Sequence, residues 1–228
     1  MEIRTLDLTR DRAAIDAFYW RAGIRLDAGI TRLVGVFEGE TVLALGGIAG
    51  DAIRSLAVAN EAQGEGLLPM LATHLYQELK NGGVDNVFVV TKPAYAPLFA
   101  SLCFYERVKT EDAALLESRR DGLKRFLAQL PKTDGAIVMN ADPFTNGHRY
   151  LVETAAACCD RLLVFVLSKD AAHVPAEARL TLVRQGCADL PNVSVCPGGA
   201  YIISSATFPD YFFKNKTDAA SAHTRLDA

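Results

Sequence analysis

Hydrophobic positions along this chain change period several times, and each change marks an element. Thr31 to Phe37 and Thr41 to Ile48 are apolar runs rich in β-branched residues, separated by Glu38-Gly39-Glu40, which is a hairpin signal. Ala52 to Val58 continues them as the third strand of a meander. A polar loop, Asn60 to Gly66, then precedes Leu67, Leu68, Leu71, Leu75 and Leu79, whose spacing puts one apolar face on a helix. Val84 to Val90 is predicted as a strand, Ala94 to Leu102 as a short helix and Cys103 to Val108 as a last strand, with the aromatics between Tyr95 and Tyr105 in the core. These elements make a first unit of residues 1–113.

Glu111 to Lys132 is charged and helical in pattern, with Leu115, Leu116, Leu123, Phe126 and Leu127 as its apolar positions and Pro131 as its stop. Residues 114–132 are therefore expected to be a connecting helix, with Glu117, Arg119, Arg120, Asp121 and Lys124 on a solvated face. The second unit is 133–228. In it Gly135 to Met139 reads as a buried parallel strand and Asn140 to Thr145 as a tight turn. A helix opens at Asn146 or Gly147 and continues through the amphipathic run Tyr150, Leu151, Val152, Ala155 and Ala156. Arg161 to Leu167 is a second strand, Glu177 to Arg184 lies on a second helix, and Val193 to Cys196 is a third short strand. Strands alternating with helices predict an α/β fold with a parallel sheet.

Composition narrows the function classes. The 228 residues are 50% hydrophobic, enough for one large core or two small ones. A net charge of −3 and a pI near 5.8 argue against nucleic-acid binding, which calls for a basic face. No stretch reaches the ~20 apolar residues that span a bilayer, so no membrane association is expected. The start, Met1-Glu-Ile-Arg-Thr5, has no basic-then-apolar leader, and a cytoplasmic location is expected. Cys103, Cys158, Cys159, Cys187 and Cys196 have no Cys-x-x-Cys spacing and are expected to be reduced thiols. No ligand cluster supports a metal site, and His74, His173 and His223 have no partner spacing.

The segment with the most chemistry is Gly135 to His148. A strand, a turn and a helix start bring a glycine, a histidine and free N–H groups to the carboxyl edge of a sheet, where α/β proteins bind ligands and phosphates bind helix N-termini. A right-handed crossover puts the end of the next strand on the same edge, so Lys169 is either a phosphate-side cation or an ordinary surface lysine.

Three resemblances follow from these residues. Thr145-Asn146-Gly147-His148 resembles the (His/Thr)-x-Gly-His signature of the nucleotidyltransferases, whose outer residues hold the α-phosphate region of ATP. The element order of residues 1–113 resembles the GNAT acyltransferase fold. Gly64 and Gly66 match the small residues of that fold's acyl-CoA loop, but Glu61 stands at its Gln/Arg position, where a carboxylate would disfavour a pyrophosphate. A GNAT-like unit ahead of a Rossmann-like nucleotidyltransferase unit is similar to the citrate lyase ligases. Met139 to Val152, Phe165 to Asp170 and Tyr201 to Phe213 carry that likeness.

The resemblance implies ATP-dependent acetylation, through acetyl-adenylate, of the thiol on the citrate lyase acyl-carrier subunit, with acetate as co-substrate and Mg²⁺ accompanying ATP. It assigns His148, Thr145 and Lys169 to catalysis on the phosphates. Asn140, Phe144, Gly147 and Arg179 fall on the nucleotide side, while Ser204, Ser205 and Thr207 either bind substrate or cap turns. A second superfamily signature, an Ile-Ser-x-Ser-x-x-Arg-like helix start, is not found in these residues. The nucleotide unit is therefore expected to be incomplete at its carboxyl end, and this chain alone to be a poor ligase. Other readings are an adenylyltransferase of the pantetheine-phosphate type, a GNAT acetyltransferase with a docking module, and a non-enzymatic binder of the carrier.

Overall fold

The computed structural model of the protein describes residues 1–168 and 173–202. The chain divides into two compact units, the first ending at Arg120 and the second beginning at Asp121.

The first unit opens with β1 (Glu2–Leu6) and α1 (Arg12–Arg21), and the expected meander follows as β2 (Arg32–Glu38), β3 (Thr41–Ala49) and β4 (Ala52–Val58). Then come α2 (Leu67–Asn81), β5 (Phe88–Thr91), α3 (Ala96–Ser101), β6 (Tyr105–Lys109) and β7 (Ala114–Glu117). The strands form one mixed sheet in the order β1-β2-β3-β4-β5-β7-β6. Among the described residues its one parallel pairing, β4 with β5, extends over only Ala52↔Phe88 and Ile53↔Val89. The predicted apolar stripe of α2 is confirmed: Leu71, Leu75 and Leu79 pack with Val34, Ile53, Val89 and Leu116. A second cluster joins Ile15, Phe18 and Tyr19 of α1 to Leu33, Phe37 and Leu45. Of the aromatics expected in the core, Phe99 and Phe104 are buried, whereas Tyr95 and Tyr105 remain exposed.

The connecting helix expected over 114–132 requires correction. Ala114–Glu117 is a buried strand, antiparallel to both β5 and β6, and the helix is only α4 (Gly122–Ala128). Short apolar runs fit a strand as well as a helix turn, and here two unpaired strand edges decide in favour of the strand. Glu117 is accordingly not on a solvated face. It is fully buried, ion-paired to Arg107 and hydrogen-bonded by the Asn86 amide.

After α4 the second unit contains β8 (Gly135–Met139), α5 (Asn146–Ala156), β9 (Leu162–Val166), α6 (Ala176–Gly186) and β10 (Val193–Pro197). Its sheet has the order β10-β9-β8 and is parallel throughout, in register from Gly135↔Leu162 to Met139↔Val166 and from Val193↔Leu162 to Pro197↔Val166. The three carboxyl ends therefore lie level. Val152 and Ala156 of α5 share one core cluster with Leu180 and Val183 of α6 and with Met139, Val164 and Val166. Among the described residues β8 is an edge strand. Contrary to the expected burial, Val138 is 44% exposed, and only the central β9 is buried along its whole length. No helix among the described residues is long and apolar enough to cross a membrane.

Candidate nucleotide site at the carboxyl edge of the second sheet

The turn after β8 and the first turn of α5 carry most of the predicted residues. Thr145 is the N-cap of α5, in an extended conformation, and forms a reciprocal capping box with His148. The Thr145 backbone N–H donates to His148 Nδ1 at 3.1 Å, and the Thr145 hydroxyl oxygen lies 2.8 Å from the same nitrogen. A backbone N–H can only donate, so Nδ1 accepts and the proton of the neutral ring sits on Nε2. The remaining N–H groups of the first turn have no intrahelical partner, as at any helix start. They combine with the helix dipole to favour an anion.

Phe144 stacks on the His148 ring with centroids 5.8 Å apart. It also packs so closely on α6 that a Cβ at Gly186 would meet its ring at 2.4 Å. Phe144 is thus a wedge that seats the histidine. At Gly147 a Cβ would meet only Thr145 Oγ1, at an ordinary 3.7 Å, so packing does not demand the glycine. Arg149 braces the site from behind, with bidentate 2.6 Å bonds to Asp189, a 2.7 Å bond to Glu153 and a bond to the Gly186 carbonyl. The Asp189 and then the Glu153 carboxylate hold its guanidinium more firmly protonated.

Asn140 is exposed at the strand end, as expected. Arg179, expected to face a phosphate, is fully buried, and this assignment requires correction. Its Nη1 donates at 2.8 Å to both the backbone and side-chain oxygens of Asn140, and its Nε donates to the Val174 carbonyl at 2.9 Å. An amphipathic reading of α6 leaves an arginine free to face either way, and only packing turns this one inward. Sequence reasoning did not single out Asp142 for its role. Its carboxylate accepts the backbone N–H groups of His173 at 2.9 Å and Val174 at 2.8 Å, an arrangement that holds it below the ordinary carboxylate range. Between Asn140 and Asp142, Ala141 is fully buried with φ at 50°. That left-handed backbone costs an alanine about 1–2 kcal/mol. Lys169, Ser204, Ser205, Thr207 and His223 lie outside the described residues.

Metal ligation finds no cluster of three His, Cys, Asp or Glu side chains among the described residues. All five cysteines are free thiols. In the first unit a cavity of about 460 Å³ opens where β4 and β5 part, lined by Leu56, Val58, Gln63, Gly64, Gly66 and Thr91. Gly64 and Gly66 have φ of 91° and 76°, which suits glycine. Glu61 does not line this cavity as its loop position suggested; it faces a neighbouring hollow beside Phe18 and Trp20.

Residues 134–228 match the model of the citrate lyase ligase C-terminal domain. The citrate (pro-3S)-lyase ligase of Escherichia coli K12 is 38% identical over 94% of this chain and 63% of its own length. That of Klebsiella pneumoniae is 36% identical over 99% of this chain and 69% of its own length. The chain thus spans roughly two thirds of these curated relatives. The ribosomal-protein-S18-alanine N-acetyltransferase of Escherichia coli has a TM-score of 0.42 at 19% identity, covering 51% of this chain and 91% of its own. The fold rests on the strand order above and not on that likeness. By its relatives over nearly its whole length, the chain belongs to the citrate lyase ligase family.

Proposed function

We propose that the second unit binds ATP at the Asn140–His148 turn and that the protein works as an acid–thiol ligase. The acyl-carrier subunit of citrate lyase is the acceptor. An acetate carboxylate oxygen attacks the α-phosphorus of ATP, the bond to the pyrophosphate oxygen breaks, and acetyl-adenylate forms. The carrier thiol then attacks the acetyl carbon, AMP leaves with the bonding pair, and the thiol proton passes to solvent. The names of the relatives support this acceptor.

The observation that carries the reading is the Thr145–His148 capping box. By occupying Nδ1, it makes His148 an Nε2–H donor beside the first-turn N–H groups, a donor set matched to charge developing on phosphate oxygens. The open space at Gly147 suits close approach of such a ligand. Asn140 adds an amide at the strand end. Mg²⁺ would be held mainly by the phosphates and water, since the Asp142 carboxylate in the same turn is engaged by backbone N–H groups.

The test is acetate- and carrier-dependent pyrophosphate release by the full-length protein. His148→Ala is expected to lower it at least ~10²-fold, the scale of removing one charge-stabilising donor. An unchanged rate sinks the assignment.

A further inference from the structure

The buried arginine of α6 supports an inference that rests on the nucleotide reading and deepens it. We propose that Arg179 is a positioning residue: it sets the orientation of the Asn140 amide, so that Asn140 offers N–H donors to the phosphate oxygens of the nucleotide. Arginine is a donor only. Its Nη1 lies 2.8 Å from Asn140 Oδ1, so the amide oxygen is the atom facing Arg179, and the Nδ2 hydrogens are left for a ligand. The same Nη1 holds the Asn140 carbonyl at 2.8 Å, anchoring backbone and side chain together.

The guanidinium is held in turn. Nε donates to the Val174 carbonyl, while the Val174 N–H donates to Asp142. Residues 140 and 142 are thus tied to the start of α6 by bonds running in both directions. The strained Ala141 sits between them with φ at 50°. An off-minimum backbone persists only where its surroundings over-determine it, and these bonds supply that constraint. Without Arg179, the Asn140 amide is free to turn its oxygen toward an anion, which repels the ligand it would otherwise bind.

The experiment measures ATP affinity by calorimetry on the intact chain, with urea unfolding in parallel, for Asn140→Ala, Arg179→Met, their combination, Arg179→Lys and Asn140→Asp. Each of the first two is expected to weaken ATP roughly 10-fold, the scale of a hydrogen bond to a charged group. The double variant should be no weaker than the worse single one, and Arg179→Lys should recover part of the loss. Additive effects, or parent affinity in a folded Arg179→Met, overturn the proposal. Should Arg179→Met fail to fold, Asn140→Asp decides: it keeps an oxygen for Arg179 but removes the donors. It should stay folded and lose at least about 10-fold in affinity, and parent-like binding by it overturns the proposal. A parent protein that does not bind ATP overturns the nucleotide reading itself, and this inference with it.

Discussion

Thr145 and His148 hold one another across three residues, the N–H of Thr145 donating to Nδ1 of His148 at 3.1 Å. The cap of α5 and the tautomer of the histidine are therefore one feature. Nitrogen-15 spectra of the neutral imidazole should show a protonated Nε2 and a bare Nδ1. A protonated Nδ1 in the neutral ring would contradict the geometry on which the proposed phosphate site rests.

Gly186 is required by Phe144, whose ring would lie 2.4 Å from an added Cβ. Gly186→Ala should cost about 1–3 kcal/mol in urea unfolding, the usual range for overpacking. It should also weaken ATP binding, because the displaced ring is the one stacked on His148. Phe144→Leu in the Gly186→Ala background should restore part of the stability. A Gly186→Ala protein with unchanged stability would remove the wedge role of Phe144.

In the first unit Asp27 and Arg54 form a buried pair at 2.7 Å, with side chains 10% and 4% exposed. Among the described residues Arg54 Nη2 has no hydrogen-bond partner, so within them the pair carries one unmet donor. Asp27→Ala leaves a buried cation without its counter-charge and should destabilise by about 3–5 kcal/mol. Replacing both partners with apolar residues should cost less than Asp27→Ala alone, and denaturation of the three variants checks the order.

Asp142 titrates below its ordinary value, first because of the His173 N–H. A carboxylate with a depressed folded pKa contributes stability that is complete above the unfolded value, ~3.9, and lost as pH falls through the folded one. Asp142→Asn should therefore be less stable than the parent at neutral pH, with a difference that shrinks as pH drops below ~3.9. Urea midpoints measured across that range check this, and a pH-independent difference would assign the loss to something other than the charge.

Much of the architecture was legible because its patterns are local. The Glu38-Gly39-Glu40 turn, the leucine stripe of α2 and the order of β8, α5, β9, α6 and β10 depend on near neighbours, and all appear where their periods put them. The motif at 145–148 was legible for the same reason, since a capping box closes within four residues. Ala114–Glu117 was not, because four residues satisfy two periods and the choice belongs to the strands flanking it.

The sequence by itself determined the alternation of elements, the helix start that bears Thr145 and His148, and a family likeness spanning both units. Tertiary structure decided which charged side chains turn inward to serve the fold. Arg179 read as a phosphate-side cation and Glu117 as a charge on a solvated helix face, yet both are fully buried and bonded to residues far from them in sequence. A charge enters the interior only where partners converge to replace water. Those partners, Asn140 and Val174 for one and Arg107 and Asn86 for the other, come together only when the chain folds.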